Sequence, residues 1–83
     1  MNYRKNSKIL DTHLNENGVM RLNLNSPENL NALSENMMDL MQNALDKASH
    51  NKNVRVIIIS GEGSTFSSGH DLKELKAARK GAD

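Results

Sequence analysis

A short apolar strand that runs into a glycine- and serine-rich loop and then a helix start constrains this chain most. Val54, Val56, Ile57, Ile58 and Ile59 form a β-branched run broken only by Arg55. Such a run is expected to be a strand buried on both faces, as in parallel sheets. Gly61 and Gly63 stop it, and Phe66-Ser67-Ser68-Gly69-His70-Asp71 leads into Leu72-Lys73-Glu74-Leu75. Asp71 is placed to cap that helix, and Glu74 three residues on completes an acidic version of the capping box. A glycine-bearing turn feeding a helix start leaves several backbone N–H groups unpaired and pointing one way. Those donors favour an oxyanion, a phosphate or a polarised carbonyl oxygen. Chemistry is expected here and nowhere else in the chain.

The elements before this stretch follow from local signals. Met1 to Lys8 is polar and is expected to be a disordered tail, with the domain occupying residues 9–83. Ile9 to Leu14 and Val19 to Leu24 are strand candidates joined by Asn15-Glu16-Asn17-Gly18, where Asn-Gly is a hairpin signal. In the second strand Met20, Leu22 and Leu24 alternate with Arg21 and Asn23, which buries one face and solvates the other. Pro27 keeps Asn25 to Asn29 in a loop. Ser34 is a good N-cap, followed by Met37, Met41, Ala44, Leu45 and Ala48 at helical spacing, with Met38 and Leu40 widening the stripe. That stripe is a core face against a sheet rather than an adaptable methionine-rich binding surface. Leu72 and Leu75 open a shorter second helix. The fold class is α/β in the order hairpin, helix, strand, helix. A strand like Val54–Ser60 needs neighbours on both edges and cover on both faces, so the chain reads as the front of something longer.

Composition excludes several function classes. The 83 residues allow one small domain, and only Tyr3 and Phe66 are aromatic. Net charge is +1 with acids and bases interspersed, so nothing favours nucleic acid or an anionic membrane. Cysteine is absent, which removes disulfides and thiol chemistry and fits a reducing compartment, cytoplasmic or, in a eukaryote, mitochondrial. His13, His50 and His70 have no metal-ligand spacing, so no metal is expected.

The loop matches no phosphate-binding or dinucleotide fingerprint. Five residues lie between Gly63 and Gly69, with His70 following, and the sixth position from Gly61-Glu62-Gly63 is Phe66. Ser67, Ser68, His70 and Asp71 carry the letters of a hydrolase triad, but near neighbours on one turn do not converge as a triad must. The loop Gly63-Ser64-Thr65-Phe66-Ser67-Ser68-Gly69-His70-Asp71-Leu72-Lys73 instead resembles the first signature of the crotonase superfamily, the enoyl-CoA hydratases and isomerases. Upstream, Asn25-Ser26-Pro27-Glu28-Asn29-Leu30-Asn31-Ala32-Leu33-Ser34 resembles that family's Asn-x-Pro-x-x-x-Asn-Ala-Leu-Ser segment. The two stand at the family's usual separation. With His70 where many members have alanine, the loop is closest to one branch of that family.

The resemblance implies the N-terminal part of a crotonase-like ββα superhelix, incomplete here. It implies that the backbone N–H of His70 faces a thioester carbonyl oxygen, with no part required of the imidazole. Ser68 would offer its carbonyl to the adenine of coenzyme A, and Asp71, Leu72 and Lys73 would line the same pocket. Glu28 and Leu30 match positions that touch the coenzyme, although a basic residue is commoner where Glu28 stands. Coenzyme A would arrive as part of an acyl-CoA substrate, with no separate cofactor, and full-length members form trimers or dimers of trimers. The family's second oxyanion donor and catalytic glutamates fall outside these residues, and Glu62 and Glu74 are not substitutes. Three functions are therefore expected to compete: a thioester enolate-stabilising hydratase or isomerase, a non-catalytic acyl-CoA-binding homologue, and a truncated inactive fragment.

Overall fold

In a computed structural model, the described residues are 3–6 and 9–82, with side chains described for residues 9–77. Four strands form one mixed sheet in the order β1-β2-β3-β4: β1 (Tyr3–Asn6), β2 (Leu10–Leu14), β3 (Val19–Leu24) and β4 (Val56–Gly61). The first three are antiparallel neighbours, and β4 runs parallel to β3. A parallel return needs a long crossover, and α1 (Glu35–Ser49) supplies it. Helix α2 (Leu72–Ala82) follows the loop after β4.

The β2–β3 hairpin forms where alternation placed it. Asn15 organises its turn: the side-chain oxygen accepts from Asn17 N at 2.9 Å and Val19 N at 3.1 Å. Across the pair, Leu10 faces Leu24, Thr12 faces Leu22 and Leu14 faces Met20. All six are buried, and with Met37 and Ala48 of α1 the apolar members form the core. Ser34 caps α1 by accepting from Met37 N at 3.0 Å. The methionine stripe is therefore a core face, except that Met38 stays exposed at its margin. Among the described residues, no helix is long and apolar enough to cross a membrane.

Two expectations need correction. Residues 3–6, expected in a disordered tail, pair antiparallel with β2, Tyr3 opposite Leu14 and Asn6 opposite Asp11. Residues 1, 2, 7 and 8 lie outside the described residues. The segment carries no apolar alternation; what recruits it is the row of backbone donors and acceptors that β2 would otherwise leave open. The second correction concerns β4, expected to be buried on both faces. Val56 is 52% exposed, Ile57 38%, Ile58 39% and Ile59 41%. Its β-branched residues set strand propensity, whereas burial needs covering layers, and α1 packs over β2 and β3 instead.

Val56 N and Glu62 N both bond to the β3 side, to Gly18 O and Leu24 O. By alternation, Ile57, Ile59 and Gly61 turn their backbone groups to the other edge, which nothing pairs among the described residues. An uncovered apolar edge strand is a pairing hazard. The 83-residue chain is accordingly expected to melt broadly and to sediment faster as its concentration rises. A sharply melting, concentration-independent monomer in analytical ultracentrifugation would count against this.

Candidate functional site

Two loops converge beyond the ends of β3 and β4. The first, after β3, makes a single 3-10 turn at Pro27–Asn29 and then holds Leu30 and Asn31 at positive φ, 52° and 51°. Two consecutive non-glycine residues in the left-handed region are uncommon and persist only where surroundings dictate them. Here hydrogen bonds do so. Leu30 N donates to Pro27 O and Asn31 N to Ser26 O, at 3.0 and 2.9 Å. The fully buried Asn31 side chain accepts from Ser26 N at 2.7 Å, and donates to Glu62 O at 2.8 Å and Thr65 O at 2.9 Å.

The second loop, after β4, is laid against the first. Ser68 N donates to Leu30 O at 2.9 Å, Leu33 N to Gly69 O at 2.7 Å, and Asp71 N to Leu33 O at 3.4 Å. Leu33 and His70 thus form a parallel bridge. In that geometry the residues flanking His70 bond to Leu33, and His70 turns its own N–H and C=O the other way. Gly69 reaches this arrangement at φ +89°, and nothing lies within 4 Å of where its Cβ would stand, so the glycine is required for conformation and not for room.

The amides around the helix start divide cleanly. Gly69 N is taken by Ser67 Oγ at 3.0 Å, and Lys73 N and Glu74 N by Asp71 Oδ1 at 2.9 and 3.2 Å. Of the amides from 69 to 74, those of His70 and Leu72 have no hydrogen-bond partner among the described residues. The Ser68 carbonyl likewise accepts none. Asp71 is the cap expected of it, but the capping box is not closed. Glu74 Oε1 accepts from Glu35 N at 2.7 Å, tying the start of α2 to the start of α1. The Asp71 N–H is already turned toward Leu33, and the first turn of α1 offers a donor with no partner inside its helix.

The Glu74 amide holds the Asp71 carboxyl below the ordinary aspartate value of 3.8, with the Lys73 amide, the Asn29 side chain and the Lys73 charge acting the same way against desolvation. Folding thus favours the carboxylate. The cap contributes fully above the unfolded value and is lost as pH falls through the lower folded one. The protection of the Lys73 and Glu74 amides, their exchange rate measured against the intrinsic one, is expected to fall away as pH drops below 3.8. In Asp71→Asn, whose oxygen caps without titrating, that step should vanish; an unchanged step would mean another group controls it.

A cleft of about 330 Å³ lies between the loops. Glu28, Leu30, Ser68, His70, Asp71, Leu72 and Lys73 all line it, so the structure gathers every residue singled out in the sequence. Within it Glu28 Oε1 accepts from Ser26 Oγ at 3.3 Å, and Leu30 is half exposed. A second cavity of about 460 Å³, lined by Glu35, Met38, Glu74, Leu75 and Ala77, meets the first at His70. A larger depression of about 720 Å³ lies on the polar sheet face around Asp11, His13 and Arg21. Three of its side chains bond one another, Asn23 Nδ2 with Glu62 Oε1 and Ser60 Oγ with Asn23 Oδ1, each at 2.8 Å. The free N–H that stands between two cavities is at the loops, which makes them the candidate site. Asn31 and Ser67, which join the loops, carried no assigned role in the sequence; the spacing of two motifs does not reveal that one residue's side chain bonds the other motif's backbone.

The sequence matches the enoyl-CoA hydratase/isomerase family over residues 14–83. The Xenopus laevis protein named enoyl-CoA hydratase domain-containing protein 3, mitochondrial, is 50% identical over 62 residues, 75% of this chain and 21% of that protein. Its Danio rerio counterpart is 43% identical over 68 residues, 82% of this chain and 23% of that protein. The crystal structure of enoyl-CoA hydratase from Mycobacterium tuberculosis H37Rv superposes with a TM-score of 0.78 at 38% identity, covering 83% of this chain and 31% of that one. The chain thus spans about a fifth of the length of these curated relatives.

Proposed function

The chain belongs to the enoyl-CoA hydratase/isomerase family and has the crotonase fold over the part it represents, and from that premise we propose that its two-loop cleft holds an acyl-CoA thioester. The observation that carries this is the unpartnered His70 N–H at the junction of two cavities. The coenzyme occupies the cleft of Glu28, Leu30 and residues 68–73, and the acyl group enters the cavity beside Met38 and Leu75. The Ser68 carbonyl accepts from the adenine amino group, and Lys73 stands on the first turn of α2 near the coenzyme's anionic part. No separate cofactor is required, because coenzyme A is part of the substrate.

When a nucleophile adds to C3 of an enoyl thioester, or a base removes an α-proton, electron density moves onto the thioester oxygen. A fixed N–H at that oxygen stabilises the enolate more than the ground-state carbonyl, by up to about 3 kcal/mol for one such donor. Hydration also needs a carboxylate to activate water and a proton donor for the α-carbon. Glu62 Oε1 is engaged by Asn23 on the polar sheet face, and Glu74 Oε1 by Glu35 N. These residues alone therefore bind and polarise a thioester without hydrating it, and turnover belongs to the full-length protein, as a trimer or dimer of trimers. The second reading is a non-catalytic acyl-CoA-binding member, for which the cleft and its free N–H suffice without a catalytic carboxylate. The mitochondrial designation of the relatives supports the mitochondrial alternative for its compartment.

Titrating crotonyl-CoA into the ¹⁵N-labelled chain is expected to shift the amides of Ser68, His70 and Asp71, and free coenzyme A should compete. Shifts centred on Arg21 and Asn23, or none at millimolar ligand, would sink the assignment.

A further inference from the structure

We propose that Asn31 and Ser67 are positioning residues that aim the His70 peptide and keep its N–H the free donor of the loop; this rests on the thioester assignment above. Gly69 C=O and His70 N–H belong to one trans peptide plane, so they point in opposite directions. The Gly69 oxygen is held by Leu33 N at 2.7 Å, which aims the His70 N–H away from Leu33 and into the cleft junction. That aim is only as firm as the placement of residues 31–33 against residues 61–69.

Asn31 supplies that placement. Its buried amide uses its oxygen once, on Ser26 N, and both nitrogen protons, on Glu62 O and Thr65 O. Gly61 permits the approach, since a Cβ there would stand 3.0 Å from Asn31 Nδ2 and 2.5 Å from Phe66 O. Ser67 completes it from the other side. Its single hydroxyl proton goes to Asn31 O at 2.8 Å, which turns a lone pair toward Gly69 N at 3.0 Å. With that N–H occupied, Gly69 cannot compete with His70 for the ligand oxygen. Removing the hydroxyl frees the Gly69 amide and loosens one end of the residue that precedes the donor.

The test compares acetyl-CoA with ethyl-CoA, the thioether that lacks the carbonyl oxygen, using the whole chain. The unaltered chain is expected to prefer the thioester about fivefold, the size of one net hydrogen bond. Ser67→Ala should bring that ratio to about one with ethyl-CoA affinity unchanged within about twofold, whereas Asn31→Asp, which also loosens the coenzyme cleft, should lower both affinities and bring the ratio to about one. Asn31→Asp keeps the acceptor for Ser26 N but sets a carboxylate against two carbonyls. Ser67→Thr retains the hydroxyl and should keep the preference, which a merely structural role at this position would not require. If Asn31→Asp fails to fold, the Ser67 pair decides. A preference that survives Ser67→Ala overturns the positioning role alone. An unaltered chain that shows no preference overturns the thioester assignment and this role together. Exchange of the Gly69 amide needs no ligand: it should be protected in the unaltered chain and released in Ser67→Ala, and equal protection in both would overturn the role of Ser67.

Discussion

Replacing Asn31 by leucine is expected to cost about 3–5 kcal/mol, a large share of what a domain this small has available. The two side chains have the same number and branching of heavy atoms, so no cavity forms, and the larger methyl groups of leucine add crowding at a fully buried site to the loss of polarity. Leucine leaves Ser26 N, Glu62 O and Thr65 O without the partners they have at 2.7–2.9 Å. Each buried group left unpaired costs about 1–3 kcal/mol, and water reaching the partly buried carbonyls reduces the sum. Leucine also has no polar side chain to ease the positive φ that asparagine tolerates at this position. Urea unfolding followed by circular dichroism would measure the loss. A change below about 1 kcal/mol would mean that the loops are held by something other than this amide.

The second large effect separates two apolar residues of one sheet. Leu22, fully buried at the centre of β3 and aligned with Thr12 and Ile59, is expected to lose about 2–5 kcal/mol on replacement by alanine. Ile58, one strand away and 39% exposed, should lose less than about 1.5 kcal/mol for the same kind of truncation. The sequence alone ranks them the other way, since Ile58 sits inside an apolar run and Leu22 between Arg21 and Asn23. Equal losses at low protein concentration would show that β4 is covered, as it would be in an associated form.

What was legible in the sequence depended on signals that act within a few residues. Asn15 and Gly18 shape a turn by their own side-chain bonds and backbone freedom, Ser34 caps α1, and Asp71 caps α2. The seven cleft residues were legible by a different route, the resemblance of two loops to a family's signatures. Periodicity and charge would have marked only the helix start near His70. Why the loops converge was not legible. Asn31 meets Glu62 and Thr65 across more than thirty residues, and Glu74 meets Glu35 across a similar separation. Nothing in either segment read by itself names the other.

The sequence by itself determined the hairpin, α1, the apolar run of β4 and the start of α2, which face of the hairpin is apolar, and that Ser34 and Asp71 would cap the helices, because these follow from backbone conformation and spacing along one segment. Tertiary structure alone decided that residues 3–6 add a strand to β2, that β4 lies exposed at an edge, that Glu74 turns from its own cap to α1, and that Leu33 aims the His70 amide. Those outcomes depend on which backbone groups other segments leave open, a property of the assembled sheet and loops rather than of any single stretch.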